Sequence, residues 1–376
     1  MRLLEQQDVE AAVLGGSVLA GGGGGWASHG RELGEVALRY GSPRLVTLDE
    51  VDPAGVIVIV SAIGSPAAEG WMMRPRDYVR ALELLMANWA GRVVGVMPAQ
   101  NGAGTTTNGW VQASVLGLPV VDAAGNGRAH PTGKMGAMGL AGDTGLRTIQ
   151  TGAGGDPARG LYMEVVAIGT VAQTADLLRQ TAVKAGGFVA NARTPLSIPF
   201  IRDHAAAGAV SYALDLGRAV AAALPNGAEA AIAATAARVG GRIVCRGELT
   251  HRVVETKGGF DLGMITIAAD AAGGRVFELS LCNEYMTVES QGPREPRGER
   301  LATFPDLIAT LALDTGLPVS AAQTEVGQGV ALLVADKANL PLGGGMRDPT
   351  VYPEVEAMIG KDLATYALAG RGGEGR

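Results

Sequence analysis

The run GGSVLAGGGGGWASHG places five consecutive glycines, Gly21 to Gly25, between a segment of helical spacing at residues 3–14 and a second at Arg31–Tyr40. No stable helix or strand can contain five glycines in a row. Each gives up more backbone freedom on folding than any other residue and offers no side chain to pack. The run is therefore either a flexible linker or bare backbone pressed against something else. Trp26 and His29 follow it directly, which is unlike linker composition. We read it as a backbone-lined cradle for an anion or a planar ligand, leading into a helix N-terminus. It is not a nucleotide motif: no GxGxxG follows a strand, and no Lys-Ser/Thr closes the run.

A second landmark is LPVVDAAGNGRAHPTGKMGAM, Leu118 to Met138. An apolar run that ends in Asp122 and a glycine-rich polar loop fits a buried parallel strand whose carboxyl end opens onto a ligand crevice. Strand patterns at RLVTL, GVIVIVSA and RVVGVM alternate with helical ones at Asp77–Trp89 and Trp110–Leu116. That alternation predicts an α/β domain with a mostly parallel sheet. Its carboxyl-end loops would be Ser61–Glu69, Gln100–Asn108 and Asp122–His130. After Thr151 the texture changes. Helical segments at 170–186, 204–224 and 228–237 precede strand patterns from Gly241 to about 335. The second part reads as an α+β, β-rich domain. The expected division is residues 1–165, residues 166–365 and a disordered tail at 369–376.

Composition narrows the function. A net charge of −6 without a basic block argues against a nucleic-acid partner. The most apolar long stretch, Ala205 to Leu224, is interrupted by Asp215 and Arg218. It reads as a buried helix rather than a membrane span. Two cysteines and no apolar leader predict a cytoplasmic chain. Its size and Gly/Ala-rich α/β character predict a homo-oligomer.

Residues able to carry chemistry are few. Alternation along 276–286 puts Phe277, Leu279 and Leu281 on one strand face and Glu278, Ser280, Cys282 and Glu284 on the other. Cys282 would then share a polar face with Glu284. Of the four histidines, His204 reads as structural, His251 opens a strand, His29 follows the glycine run, and His130 lies beyond Asp122. No local metal motif is present, so a metal site would join distant segments. His130 and Cys282 are the preferred metal ligands, with His29 and His251 as further candidates. Asp122 or Glu284 would be a third ligand, an orienting group or a general base. A Cys282 nucleophile with a histidine base remains an alternative.

Several segments taken together resemble a known family: the glycine run, IGSP (63–66), QNG (100–102), LPVVDAAGNGRAHP (118–131), KGGFDLG (257–263), LCNEYM (281–286), FPDLIATLALDTGLPV (304–319) and TEVGQGV (324–330). In order and spacing they are similar to the S-methyl thiohydantoin desulfurase family, also called DUF917, whose members stand beside hydantoinase A/oxoprolinase-type proteins. The resemblance spans roughly residues 5–360. It implies a two-domain chain and, in the desulfurase branch, zinc. This sequence departs from the common pattern at His130, where many members have an aromatic, and at Cys282, where many have Gln. A His and a Cys in those places are what acquiring a zinc site would look like. The implied reaction replaces methanethiol by water on an S-methyl thiohydantoin, giving a hydantoin, during breakdown of S-methylated ergothioneine. In that reading Asp122 or Glu284 moves the proton, and Arg128 pairs with a substrate carboxylate. Gly22, Gly23, Gly24 and Asn101 contact the heterocyclic substrate. The alternative is a non-catalytic partner of a hydantoinase-type enzyme, or a hydrolase of another cyclic amide or thioimidate.

Overall fold

The computed structural model describes residues 1–65, 70–270, 273–295 and 298–369. Residues 370–376, nearly all of the expected tail, lie outside the described residues.

The N-terminal half is built on an eight-stranded mixed sheet. In chain order its strands are β1 (Arg2–Leu3), β2 (Arg44–Val46), β3 (Val56–Gly64), β4 (Val93–Pro98) and β5 (Val120–Val121), then, after the two-residue β6 (Ala123–Ala124), β7 (Thr148–Gly154), β8 (Met163–Gly169) and β9 (Phe188–Ser197). In space the order is β1-β2-β5-β4-β3-β9-β7-β8. Strands β2, β5, β4 and β3 pair in parallel. The remaining strands join antiparallel. The run VIVIVSAIG of β3 is buried along most of its length, as a central strand covered on both faces requires.

Helices α1 (Gln6–Leu19), α2 (Ala27–Tyr40), α3 (Pro75–Ala87), α4 (Trp110–Leu116) and α5 (Val171–Lys184) cover this sheet. Helix α3 begins with Pro75, and Asp77 accepts from the Arg74 N–H at 2.8 Å. Its Tyr78, Ala81, Leu82 and Leu85 form the buried stripe expected from the spacing. Helix α1 runs past residue 14, where a loop was expected, and ends at Leu19. Gly15 and Gly16 lie inside it because α7 and the Gly102 loop press close. A Cβ at Gly15 would collide with the Ala213 carbonyl, and one at Gly16 with that of Gly102.

Helices α6 (Ile198–His204), α7 (Ala209–Ala223) and α8 (Ala228–Arg238) follow, with a short β10 (Ala206–Ala207) that pairs with β6. The C-terminal half is an antiparallel sheet of β11 (Arg242–Lys257), β12 (Phe260–Ala269), β13 (Val276–Cys282), β14 (Glu284–Gln291), β15 (Glu299–Thr303), β16 (Leu307–Ala312), β17 (Pro318–Val319) and β18 (Gly329–Ala335). Its order is β15-β14-β13-β12-β11-β18-β16-β17. Helices α9 (Pro353–Ile359) and α10 (Ala364–Leu368) close the described chain.

The α/β first half and β-rich second half match the expected fold class, with parallel pairing confined to the four strands named. The junction expected at residue 165 falls inside β8, which pairs along its length with β7. Strand β9 then returns to the sheet between β3 and β7. The first sheet therefore extends to Ser197. No helix among the described residues is long and apolar enough to cross a membrane.

Candidate active site

The carboxyl ends of β3, β4 and β5 converge on one pocket. Strand β3 contributes its own last residues, Ser61 to Gly64, and the other two send their following loops into the wall: Ala99, Gln100, Gly104 and Thr105 beyond β4, and His130 to Gly133 beyond β5. The expected crevice at the strand ends is therefore present. Gly24, Gly25, Trp26 and His29 add a further wall, and Phe188 and Arg193 of β9 another. The C-terminal sheet contributes Asn283 and Glu284.

Glu284 is placed by a break in the strand. Asn283 takes a left-handed φ of 57° between β13 and β14, a conformation Asn tolerates better than most residues. Its side chain accepts from the Asp261 N–H at 2.9 Å, and its own N–H donates to the Asp261 carbonyl at 2.8 Å. This break rests on the glycine run. The Tyr285 N–H donates to the Gly21 carbonyl at 2.7 Å. A Cβ on Gly22 would press into the Tyr285 ring, and one on Gly23 would meet the Glu284 carboxyl. The glycines are bare because the C-terminal sheet lies on them. Glu284 is 2% exposed, and its Oε2 has no hydrogen-bond partner among the described residues. Burial pushes its carboxyl up to about 8, against the opposing pull of Arg128, the Gly24 N–H and Arg179. At neutral pH it holds a proton.

Two arginines line the same pocket. Arg193, 3% exposed, is pushed down to about 10 by burial and by the neighbouring Arg179, with no acidic group offsetting either. It precedes Thr194, a β-branched residue held at φ 48°, the kind of outlier that collects at functional sites. Arg179 donates to the carbonyls of Gly64 (2.8 Å), Gly259 (3.0 Å) and Pro131 (3.0 Å) and lies over the Phe260 ring. Neither guanidinium forms a carboxylate ion pair among the described residues; Arg179 feels Glu284, Glu354 and Asp261 at longer range, whereas Arg193 has no such acidic neighbour.

An aromatic group stands beside them. Trp26 stacks on Trp71 at 4.2 Å between ring centres, and Phe188 meets Trp26 edge-on at 5.0 Å. His29 touches Trp71 edge-on. Its Nε2 lies 3.0 Å from the Tyr78 hydroxyl and its Nδ1 3.3 Å from Glu32. Burial lowers the His29 pKa, with Glu32 opposing.

The expected site residues divide. Glu284, His130, His29 and Gly24 line the pocket, whereas Cys282, Asp122, Arg128, Asn101, His251, Gly22 and Gly23 do not. Cys282 lies on the face opposite Leu281, as the alternation required, but that face is not polar. The chain after Leu340 covers it, and Cys282 packs among Met135, Phe260, Met286 and Val355. Burial pushes its thiol pKa far up, so neither a thiolate ligand nor a nucleophile is at hand. Asp122 accepts from the Ser211 N–H (2.9 Å) and hydroxyl (2.6 Å) in the first turn of α7. It anchors a helix. Arg128 is fully buried over the Phe304 ring and donates to the Asp306 carbonyl, so it supports the wall behind Glu284. Asn101 ties the Gly127 and Ala209 carbonyls together. His251 is exposed on β11. His130 is fixed through its N–H to Gln100 Oε1 at 3.0 Å. Burial, then Arg193, push its imidazole down to about 3, so it stays neutral. Arg179 and Arg193 went unrecognised. Arg179 reads like any exposed helical arginine, while Arg193 gave one usable signal, a single charge inside the buried strand FVANARTPLS.

Zinc needs three or four N, S or O donors drawn close together. Among the described residues no group of three or more His, Cys, Asp or Glu is arranged to hold a metal ion. With Cys282 among apolar side chains, the residues present do not fit zinc.

Two family models match the chain, the S-Me-THD-like N-terminal domain over residues 7–156 and the S-Me-THD-like C-terminal domain over residues 170–340. The chain belongs to the S-Me-THD-like family. Membership supports a desulfurase-like hydrolase role in the broad sense. The fold of this S-Me-THD-like chain is similar to a crystal structure of a protein from Chromobacterium violaceum, with a TM-score of 0.66 and 21% identity over 95% of this chain and 96% of that one. At that identity the likeness speaks for the fold. A comparison with curated proteins gave no match.

Proposed function

We propose that this S-Me-THD-like chain hydrolyses the C–S bond of an S-methyl thiohydantoin that carries a carboxylate arm, releasing methanethiol and leaving the hydantoin. Breakdown of S-methylated ergothioneine is the setting we propose. The observation that carries the reading is Glu284, a buried, proton-holding carboxyl in the pocket wall whose Oε2 has no hydrogen-bond partner among the described residues.

The chemistry is addition and elimination at a C=N carbon bearing sulfur. Protonation of the ring nitrogen makes that carbon electrophilic, and a buried carboxyl titrating near neutrality is suited to donate that proton. Arg193 and Arg179 supply charge for the carboxylate arm in the fork geometry that guanidinium offers. Trp26 and Phe188 give a flat apolar surface for the ring. No step is routed through a metal.

The test is methanethiol release from the S-methyl thioether of a thiohydantoin with a two-carbon carboxylate arm, read with a thiol reagent. Wild type should turn over, and Glu284→Gln should lose about 100-fold or more in kcat. A Glu284→Gln enzyme of undiminished kcat refutes the assignment of Glu284. A wild type inert on this and related thioimidates refutes the function.

A further inference from the structure

Glu284 can deliver a proton, but the attacking water must lose one, and the assignments above leave that step without an acceptor. His130 is the obvious candidate and is a poor one, because burial and Arg193 hold its basicity far below that of an ordinary imidazole. Asp122 is occupied at the start of α7. A different group of side chains has the required connectivity.

His29 of α2 and Tyr78 of α3 both line the pocket. Their contact is 3.0 Å, from Nε2 to the phenol oxygen. On the other side of the ring, Nδ1 faces Glu32 Oε2 at 3.3 Å. A carboxylate only accepts, so in neutral His29 the ring proton sits on Nδ1 and Nε2 accepts from the Tyr78 hydroxyl. Tyr78, a lining residue of the pocket, then keeps its oxygen lone pairs free to accept a proton. Glu32 is about half exposed and lies behind the imidazole.

We infer that Glu32, His29 and Tyr78 form a proton relay that accepts the proton of the hydrolytic water, with Tyr78 as the group that touches the water and Glu32 as a positioning residue. The inference rests on the thioimidate reading above. Water oxygen forms the bond to the ring carbon and gives a proton to Tyr78 Oη as the Tyr78 proton passes to His29 Nε2. The C=N π pair moves to the ring nitrogen, which takes the Glu284 proton. The tetrahedral carbon then bears OH, SCH3 and NH. Its C–S bond breaks as the hydroxyl proton returns to Glu284 and forms the C=O. The departing thiolate takes the relay proton back through Tyr78. Products are hydantoin and methanethiol, and both protein groups are reset.

The groups around the relay favour this direction of transfer. Burial lowers the basicity of His29, and Glu32, facing it from its own helix, opposes that by stabilising the imidazolium. From α3, Asp77 adds negative charge near Tyr78, itself held by Arg74 and Arg76. Trp71 closes the edge of the imidazole and keeps bulk water from serving as an unguided acceptor.

Three variants in the full chain test the relay. Tyr78→Phe keeps the ring and its packing, so the fold is preserved. It should lower kcat about 100-fold with KM within about 3-fold. Glu32→Gln should lower kcat about 10-fold and move the acidic limb of the kcat/KM profile to lower pH, because His29 loses the charge that favours its protonation. Glu32→Asp should restore part of both. Tyr78→Phe at wild-type kcat, or an unmoved acidic limb in Glu32→Gln, overturns the relay. A wild type that neither releases methanethiol nor binds hydantoin by calorimetry overturns the function beneath it. In that event NMR titration of the His29 ring still decides: a curve identical in wild type, Glu32→Gln and Tyr78→Phe overturns the relay on its own.

Discussion

Replacing Glu284 by Gln removes one titration and leaves the shape of the site nearly unchanged, so the variant isolates the cost of charging this carboxyl. A shift from 4.5 to about 8 is worth on the order of 5 kcal/mol, at about 1.4 kcal/mol per pH unit. The sign follows from proton counting. Between those two values the folded chain holds a proton that the unfolded chain has released. Stability from this group is therefore complete below pH 4.5 and is lost as pH rises through about 8. Gln cannot ionise and loses nothing over that range. The assay is denaturant unfolding of wild type and Glu284→Gln at pH 5, 7 and 9, read as the difference between the two proteins so that every other titrating group cancels. Wild type should lose several kcal/mol more than the variant between pH 5 and 9. Parallel pH curves would show that Glu284 is solvated or compensated, and the acid role built on its raised pKa would go with them.

Other expectations follow from the same geometry. Arg193→Gln should raise KM for a carboxylate-bearing substrate about 10-fold or more while changing KM little for the ring without the arm, measured by steady-state kinetics on both. Cys282→Ala should cost about 1 kcal/mol of stability, from the lost burial of its thiol, and leave kcat unaltered; loss of turnover in a folded Cys282→Ala would restore the cysteine to the mechanism. Gly23→Ala should displace the Glu284 carboxyl. A loss of about 1–3 kcal/mol in stability, with kcat falling further than KM rises, would be seen in unfolding and rate measurements.

The first half of the fold was legible because its strands and helices alternate with clean periods, and α3 and α4 stand where that pattern put them; of the expected loop Ser61–Glu69, Ser61 to Gly64 belong to β3 and residues 66–69 lie outside the described residues. Helix α1 was cut short because Gly15 and Gly16 look like loop residues until Ala213 and Gly217 of α7 are seen packed against Gly15 and the Gly102 loop against Gly16. The site was legible in part. Glu284, singled out because alternation put it on one strand face with Cys282, lines the pocket. Cys282 misled for a physical reason: period-2 alternation says which face a side chain takes, but not that a segment seventy residues later will cover that face. Arg128 and Asp122 looked functional because loops advertise their charges, yet Asp122 is taken up by Ser211 at the start of α7, and Arg128 is buried over the Phe304 ring away from the pocket. Arg193 and Tyr78 were hidden by their elements, one in a strand and one on a core stripe.

The seat of Asn283, Glu284 and Tyr285 on Gly21–Gly23 has a consequence for how such a protein can change over generations. Asn283 and Glu284 come from the C-terminal sheet and the rest of the pocket wall from earlier in the chain, and the two meet on glycines that have no side chain to trim. A recombinant that joins the first half of one relative to the second half of another inherits an intact pocket only if the glycine run and the residue facing Gly22 are exchanged as a set. Point changes on either side meet a fixed surface, so drift in this joint should be paired, whereas the pocket's loops remain free to vary with the ligand.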